Sequence, residues 1–208
     1  MQSTEIWRYI HAERAALVTT LRGLEPEQWK QTSWCEGWSV KQVAGHITAA
    51  AEQTFPNFYL ALASAGFRFD VFARRGADKV AMVDESVLVD RLAARTTTTN
   101  HPPAPVLAML GEIVVHGQDI RRPLGLTHQS PEAALIAVAE GWKKSNLLIG
   151  SKRRITGLSL HATDASWSHG TGPSVEGPLQ ELVLAMTGRK GALAGLTGPG
   201  VDILKSRP

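Results

Sequence analysis

Apolar residues recur at helical spacing along most of the N-terminal three-quarters of the chain. Ile6, Tyr9, Ile10, Leu17, Leu21 and Leu24 predict a first helix over Thr4–Leu24, with Ser3 or Thr4 as its cap and Arg22-Gly23 near its end. A connection carrying Trp29, Trp34 and Trp38 follows; so many indoles predict a loop folded back over apolar surface. Ser39 is placed to cap a second helix through Val40, Val43, Ala44 and Ile47 toward Phe58, which Pro56 kinks or breaks. From Gly66 to Val83 the periodicity dissolves. It returns in a short helix from Glu85 to Ala94, carried by Leu88 and Leu92. After the Thr96–Pro103 run, which will not sustain a helix, comes a central helix with Val106, Leu107, Leu110, Ile113, Val114 and Ile120 on one side, ended by Pro123. A further helix opens at Ser130-Pro131 with Leu135, Val138, Ala139 and Trp142 inward.

Beyond about residue 150 the period shortens to two: Gly157–Thr163 alternates as a strand and Ser174–Gly177 predicts a second. Pro178 opens a helix with Leu179, Leu182, Val183 and Met186 inward, ended by Gly188, and Val201–Leu204 predicts a final strand. The expected class is α+β: a helical domain over 1–150 and a small α/β domain over 151–208. Lys152-Arg153-Arg154 reads as a solvated linker at their joint.

Composition narrows the function classes. Lys+Arg 22 against Asp+Glu 19 gives a net charge of +3, too small to argue for nucleic acid, and no aromatic-basic interleaving appears. The lone Cys35 excludes an internal disulfide and suits a reducing cytosol. Neither a signal peptide nor a bilayer-length apolar run is visible, so a cytoplasmic protein that engages no membrane is expected. Oligomeric state is not legible.

The chemistry concentrates on the central helix. At about 3.6 residues per turn, Glu112, His116 and Asp119 share a face. A carboxylate and an imidazole one turn apart can hold a cation; they also occur on the solvent face of an ordinary amphipathic helix. His46, at the edge of the second helix's apolar stripe, is a third ligand candidate or else a satisfied boundary residue. Two imidazoles and one carboxylate make an open set for a divalent ion, with room for water or substrate. In that arrangement Asp119 is placed to orient His116 or to pair with Arg121 or Arg122, rather than to bind the ion. Cys35 lacks a Cys-x-x-Cys partner and reads as packing.

Trp34-Cys35-Glu36-Gly37-Trp38-Ser39-Val40 followed by His46, then Glu112-x-x-x-His116-Gly117-Gln118-Asp119-Ile120-Arg121-Arg122-Pro123-Leu124-Gly125, resembles the DinB-like metalloenzyme superfamily, and within it the mycothiol-dependent maleylpyruvate isomerase family of actinobacteria. Thr163-Asp164-x-x-Trp167 and Leu184–Arg189 resemble that family's C-terminal domain, so the likeness spans nearly the whole chain. It implies a DinB-like four-helix bundle and His46, Glu112 and His116 as ligands to a divalent metal, usually zinc. It implies further that Arg189 and Arg75, or Arg74 in place of the latter, serve catalysis and cofactor binding. A helix-end cation explains Arg189 equally well, and solvated charge explains the Arg74-Arg75 pair.

A thiol bound at such an ion is deprotonated and becomes a nucleophile. The resemblance therefore implies mycothiol as cosubstrate and a small electrophilic or unsaturated acid as substrate. The expected reaction is either cis-trans isomerisation or S-transfer. The contrasting reading is a non-catalytic DinB-like module that uses the cleft to bind a small ligand or a protein.

Overall fold

In the computed structural model of the chain, which describes residues 1–146 and 149–208, α1 (Ser3–Arg22) buries Ile6, Ile10, Leu17 and Leu21. Its N-cap is Gln2, without a side-chain bond, so neither Ser3 nor Thr4 caps it. The tryptophan-bearing connection contains a short α2 (Pro26–Lys30), which inserts Trp29 into the core. Ser39 caps α3 (Val40–Glu52): its hydroxyl accepts from Gln42 N–H while the Gln42 side chain returns to the Ser39 N–H.

The break expected near Pro56 is complete. α3 stops at Glu52, and α4 (Phe55–Ser64) begins with Pro56 in its first turn, where the missing N–H costs nothing. The stretch without clear periodicity instead forms α5 (Phe69–Ala81). Its inward stripe is Ala73, Gly76, Ala77 and Val80, small residues whose helical spacing is right but whose hydrophobicity is slight. Small size is what lets α5 lie against α3: a Cβ added at Gly45 would stand 2.7 Å from the Ala77 carbonyl oxygen and 3.2 Å from Ala81 N. Gly45→Ala is therefore expected to destabilise the protein. Overpacking costs about 1–3 kcal/mol, of which helix propensity returns up to about 1 kcal/mol. The loss is read as a lower urea midpoint at unchanged m-value.

α6 (Glu85–Ala93) and α7 (Val106–Arg121) complete the unit. α1 packs on α6 and α7, and α3 packs on the same pair, closing a four-helix bundle with α5 along the outside of α3. α7 lacks the solvent face expected of an amphipathic helix. Gln118, Asp119 and Arg121 are buried along with the apolar side. Arg121 is 2% exposed; its Nε donates to Thr20 Oγ1 at 2.9 Å, and its Nη2 has no hydrogen-bond acceptor. Burial lowers the Arg121 pKa, and the charge of Glu13 opposes that shift. Glu13, itself 3% exposed, accepts from His128 Nε2 at 2.8 Å.

Packing divides the chain into Met1–His128 and Gln129–Pro208. The division precedes the change of sequence pattern near residue 150 because α8 (Glu132–Trp142) packs on α10 (Leu179–Met186) of the second unit. Lys152-Arg153-Arg154 is not a linker but lies in a short α9 (Ser151–Ile155), where Arg154 Nη1 donates to the Ile149 and Met186 carbonyls. The sheet has the order β2 (Ser168–His169), β1 (Ser159–Ala162), β3 (Ser174–Gly177), antiparallel then parallel, with Leu160 beside Val175 in the core. The last element, α11 (Gly200–Ser206), is a helix and not the expected strand; it buries Gly200 and Leu204, one turn apart. The fold is thus α+β, mostly helical with a small sheet. No helix among the described residues is long and apolar enough to cross a membrane.

Candidate metal centre

Three side chains from two bundle helices meet on one side of the N-terminal unit. α3 presents His46, and α7 presents Glu112 and His116 one turn apart. His46 Nε2 lies 3.7 Å from Glu112 Oε1, and the His46 and His116 rings stand edge-on with centroids 5.0 Å apart. One ligand atom from each of the three falls within 4.8 Å of the others. Ligands about 2.1 Å from a shared ion at tetrahedral angles are roughly 3.4 Å apart, so little movement separates this arrangement from a coordinated one. The donor set suits a divalent cation, and the geometry fits it.

Neighbours hold both rings. Trp38 packs edge-on against His46 at 5.2 Å. His116 Nδ1 donates to Asp119 Oδ2 at 2.9 Å, and that carboxylate is fully buried. The bond fixes the tautomer and leaves the other ring nitrogen as the electron-pair donor.

The Asp119 backbone does a second job. In a continuing helix its carbonyl would accept from residue 123, but that residue is a proline with no N–H. Trp34 N–H takes the place at 3.0 Å and ties the tryptophan loop to α7. The loop is closed on itself by Ser33 N–H and Oγ, both donating to the Trp38 carbonyl.

The sequence alone reads Cys35 as packing. The fold brings its sulfur within 4.8 Å of ligand-type atoms of His116 and Asp119, a second possible ligand group. No spacing rule could have flagged it, because Cys35 and Asp119 are far apart in sequence and are brought together by the fold, with Trp34 N–H bonded to the Asp119 carbonyl. Of the two groups, His46 and Glu112 open on a cavity of about 670 Å³, and Cys35 and Asp119 do not line it.

α4 and α5 also line that cavity, with Phe72 between two other rings: Phe58 meets Phe72 at 5.2 Å and Phe69 meets Phe72 at 5.7 Å. Arg75 lines the cavity and donates from Nη1 to the Ser64 carbonyl at 2.9 Å; Arg74 instead reaches the Gly37 carbonyl of the tryptophan loop at 3.4 Å. Lys79 and Arg91 also line it, and neither drew notice in the sequence. Arg91 is engaged by Glu52 through two bonds, at 3.0 and 2.6 Å.

Arg189 belongs to the C-terminal unit. It follows Gly188, whose φ of +89° ends α10, and its Nη1 donates to the Thr187 carbonyl at 3.1 Å. The Thr163-Asp164-x-x-Trp167 pattern there is structural: Asp164 Oδ1 accepts from Leu179 N–H at the start of α10, and Trp167 Nε1 donates to Glu140.

A sequence profile described as the mycothiol maleylpyruvate isomerase N-terminal domain matches residues 10–121. Two solved structures share the fold. One is a mycothiol-dependent maleylpyruvate isomerase, at TM-score 0.66 and 15% identity, covering 96% of this chain and 93% of that one. The other is a histidine-to-alanine variant of such an isomerase, at TM-score 0.65 with the same identity and coverage. No curated protein is significantly similar in sequence. At that identity the structural likeness speaks to the fold.

Proposed function

The chain belongs to the family defined by the mycothiol maleylpyruvate isomerase N-terminal domain, and from that premise we propose that it is a thiol-dependent metalloenzyme working at His46, Glu112 and His116. The observation carrying this reading is the convergence of those three side chains, two of which, His46 and Glu112, line a cavity together with residues of α4 and α5. A divalent ion held there, zinc being the ion this donor set suits, supplies the charge that converts a bound thiol to thiolate. The family's name makes mycothiol the expected thiol.

The chain's own residues account for the rest. Asp119 holds the His116 tautomer, and Trp38 packs against His46 on the side it faces, limiting its swing. Arg75 keeps guanidinium donors beyond the one given to Ser64 and is assigned to the acidic end of the substrate. Arg189 enters the proposal in the same capacity by its match to the family motif alone.

In the isomerisation reading, sulfur adds to one carbon of a conjugated double bond and its electron pair moves onto the conjugated carbonyl. The former double bond rotates, and the pair returns as the C–S bond breaks, so the thiol emerges unchanged. In the S-transfer reading the C–S bond stays and the leaving group departs with the displaced electron pair, or a proton quenches the adduct. A direct test follows thiol titre during turnover by metal-loaded protein supplied with mycothiol and, in separate assays, with maleylpyruvate or an unsaturated acid that has one carboxylate. Isomerisation is expected to leave the titre constant while product accumulates; stoichiometric loss of thiol assigns S-transfer. No metal-dependent turnover of either kind would overturn the proposal.

A further inference from the structure

Building on the metal-thiol reading above, we propose that the cavity selects an electrophile with a flat apolar body and a single acidic end, in preference to a small dicarboxylic acid. The cavity that His46 and Glu112 line also carries the rings of Phe58, Phe69 and Phe72, arranged edge-to-face or tilted. Such rings accept another aromatic group by offset or edge contact, and they offer no hydrogen bond to a carboxylate. Around them the α3 surface is cut back to Ala49 and Ala50, which leaves ring-sized room.

Charge in the cavity points the same way. Arg91 is neutralised by its two bonds to Glu52 and has no free charge for a second carboxylate. Among the described residues Lys79 makes no hydrogen bond or ion pair, and it stands on α5 one turn after Arg75. The two cations therefore form one anion-binding edge, on the same helix as Phe69 and Phe72. Beyond those two cations, a second carboxylate would find in the lining the phenyl rings, the Glu112 carboxylate and the paired Glu52 and Arg91. An acid with one carboxylate and an aryl or comparably flat apolar group would satisfy both features.

The test is titration calorimetry of the metal-loaded protein with cinnamate, an unsaturated aryl acid, and with maleate. Cinnamate is expected to bind at least tenfold more tightly. Phe58→Ala/Phe72→Ala should weaken cinnamate at least tenfold while changing maleate less than twofold, and Lys79→Met should weaken both acids. Equal affinities, tighter maleate or no detectable cinnamate binding in the wild-type protein overturns the inference. The wild-type ranking stands alone if the double variant does not fold. Metal content of the same protein separates the two ideas: protein that retains no metal yet ranks cinnamate first defeats the metal reading and supports this one. Metal-replete protein that ranks maleate first does the reverse.

Discussion

Replacing His116 by alanine is expected to cut divalent-metal affinity by more than 100-fold and, with it, thiol-dependent turnover to background. His116 is the hub of the candidate centre: it faces His46 across 5.0 Å on one side and is held by Asp119 on the other. Its loss leaves two ligands, too few to retain an ion against buffer. Asp119→Asn makes the graded comparison. Removing the partner that orients a ligand typically weakens binding by about 10–100-fold, while the Asp119 carbonyl that accepts from Trp34 N–H is untouched. Metal analysis of protein purified without an affinity-column metal, followed by competition with a chelator, reads both variants. Equal and negligible metal in wild type and His116→Ala would remove the basis for the proposed activity.

The largest stability effect is expected from Glu13→Ala. Glu13 and Arg121 are buried between α1 and α7, and Glu13 is the anion that opposes the desolvation of the Arg121 charge. Removing one member of a buried charged set leaves the other uncompensated, which costs about 3–5 kcal/mol. His128 also loses its acceptor. The Arg121 Nη2, already without an acceptor, makes this network a poor contributor to net stability. A Glu13→Leu/Arg121→Met double variant is accordingly expected to recover most of the loss. Chemical denaturation of the single and double variants measures the coupling; additive losses would show that the two charges do not depend on each other.

Much of this was legible in the sequence where the signal was local. Ser39 and Gln42 announce the start of α3, Pro56 its separation from α4, and Glu112-x-x-x-His116 a shared helical face. What escaped depends on partners distant in the chain. Asp119 reads as part of a polar face with Glu112 and His116, and nothing nearby reveals that Gln118, Asp119 and Arg121 are buried, Gln118 against the His128 carbonyl and Arg121 against Thr20. α5 escaped because its inward stripe, Ala73, Gly76, Ala77 and Val80, is small and weakly hydrophobic, with Ala77 set close against Gly45. Val201–Leu204 alternates over too few residues to separate a strand from one helical turn, and burial of Gly200 with Leu204 decides for the helix. The cavity wall was the least legible part: Phe58, Phe72, Lys79 and Arg91 come from three helices and share a function only after folding.

A proline usually matters for the turn it ends. Here Pro123 acts four residues upstream, since the helical acceptor it leaves open is the one that Trp34 fills, on the residue whose side chain steadies His116. Fraying at that helix end would slacken an imidazole and a distant indole loop in a single cooperative event, so whatever grips the imidazole should also slow hydrogen exchange at the Trp34 amide.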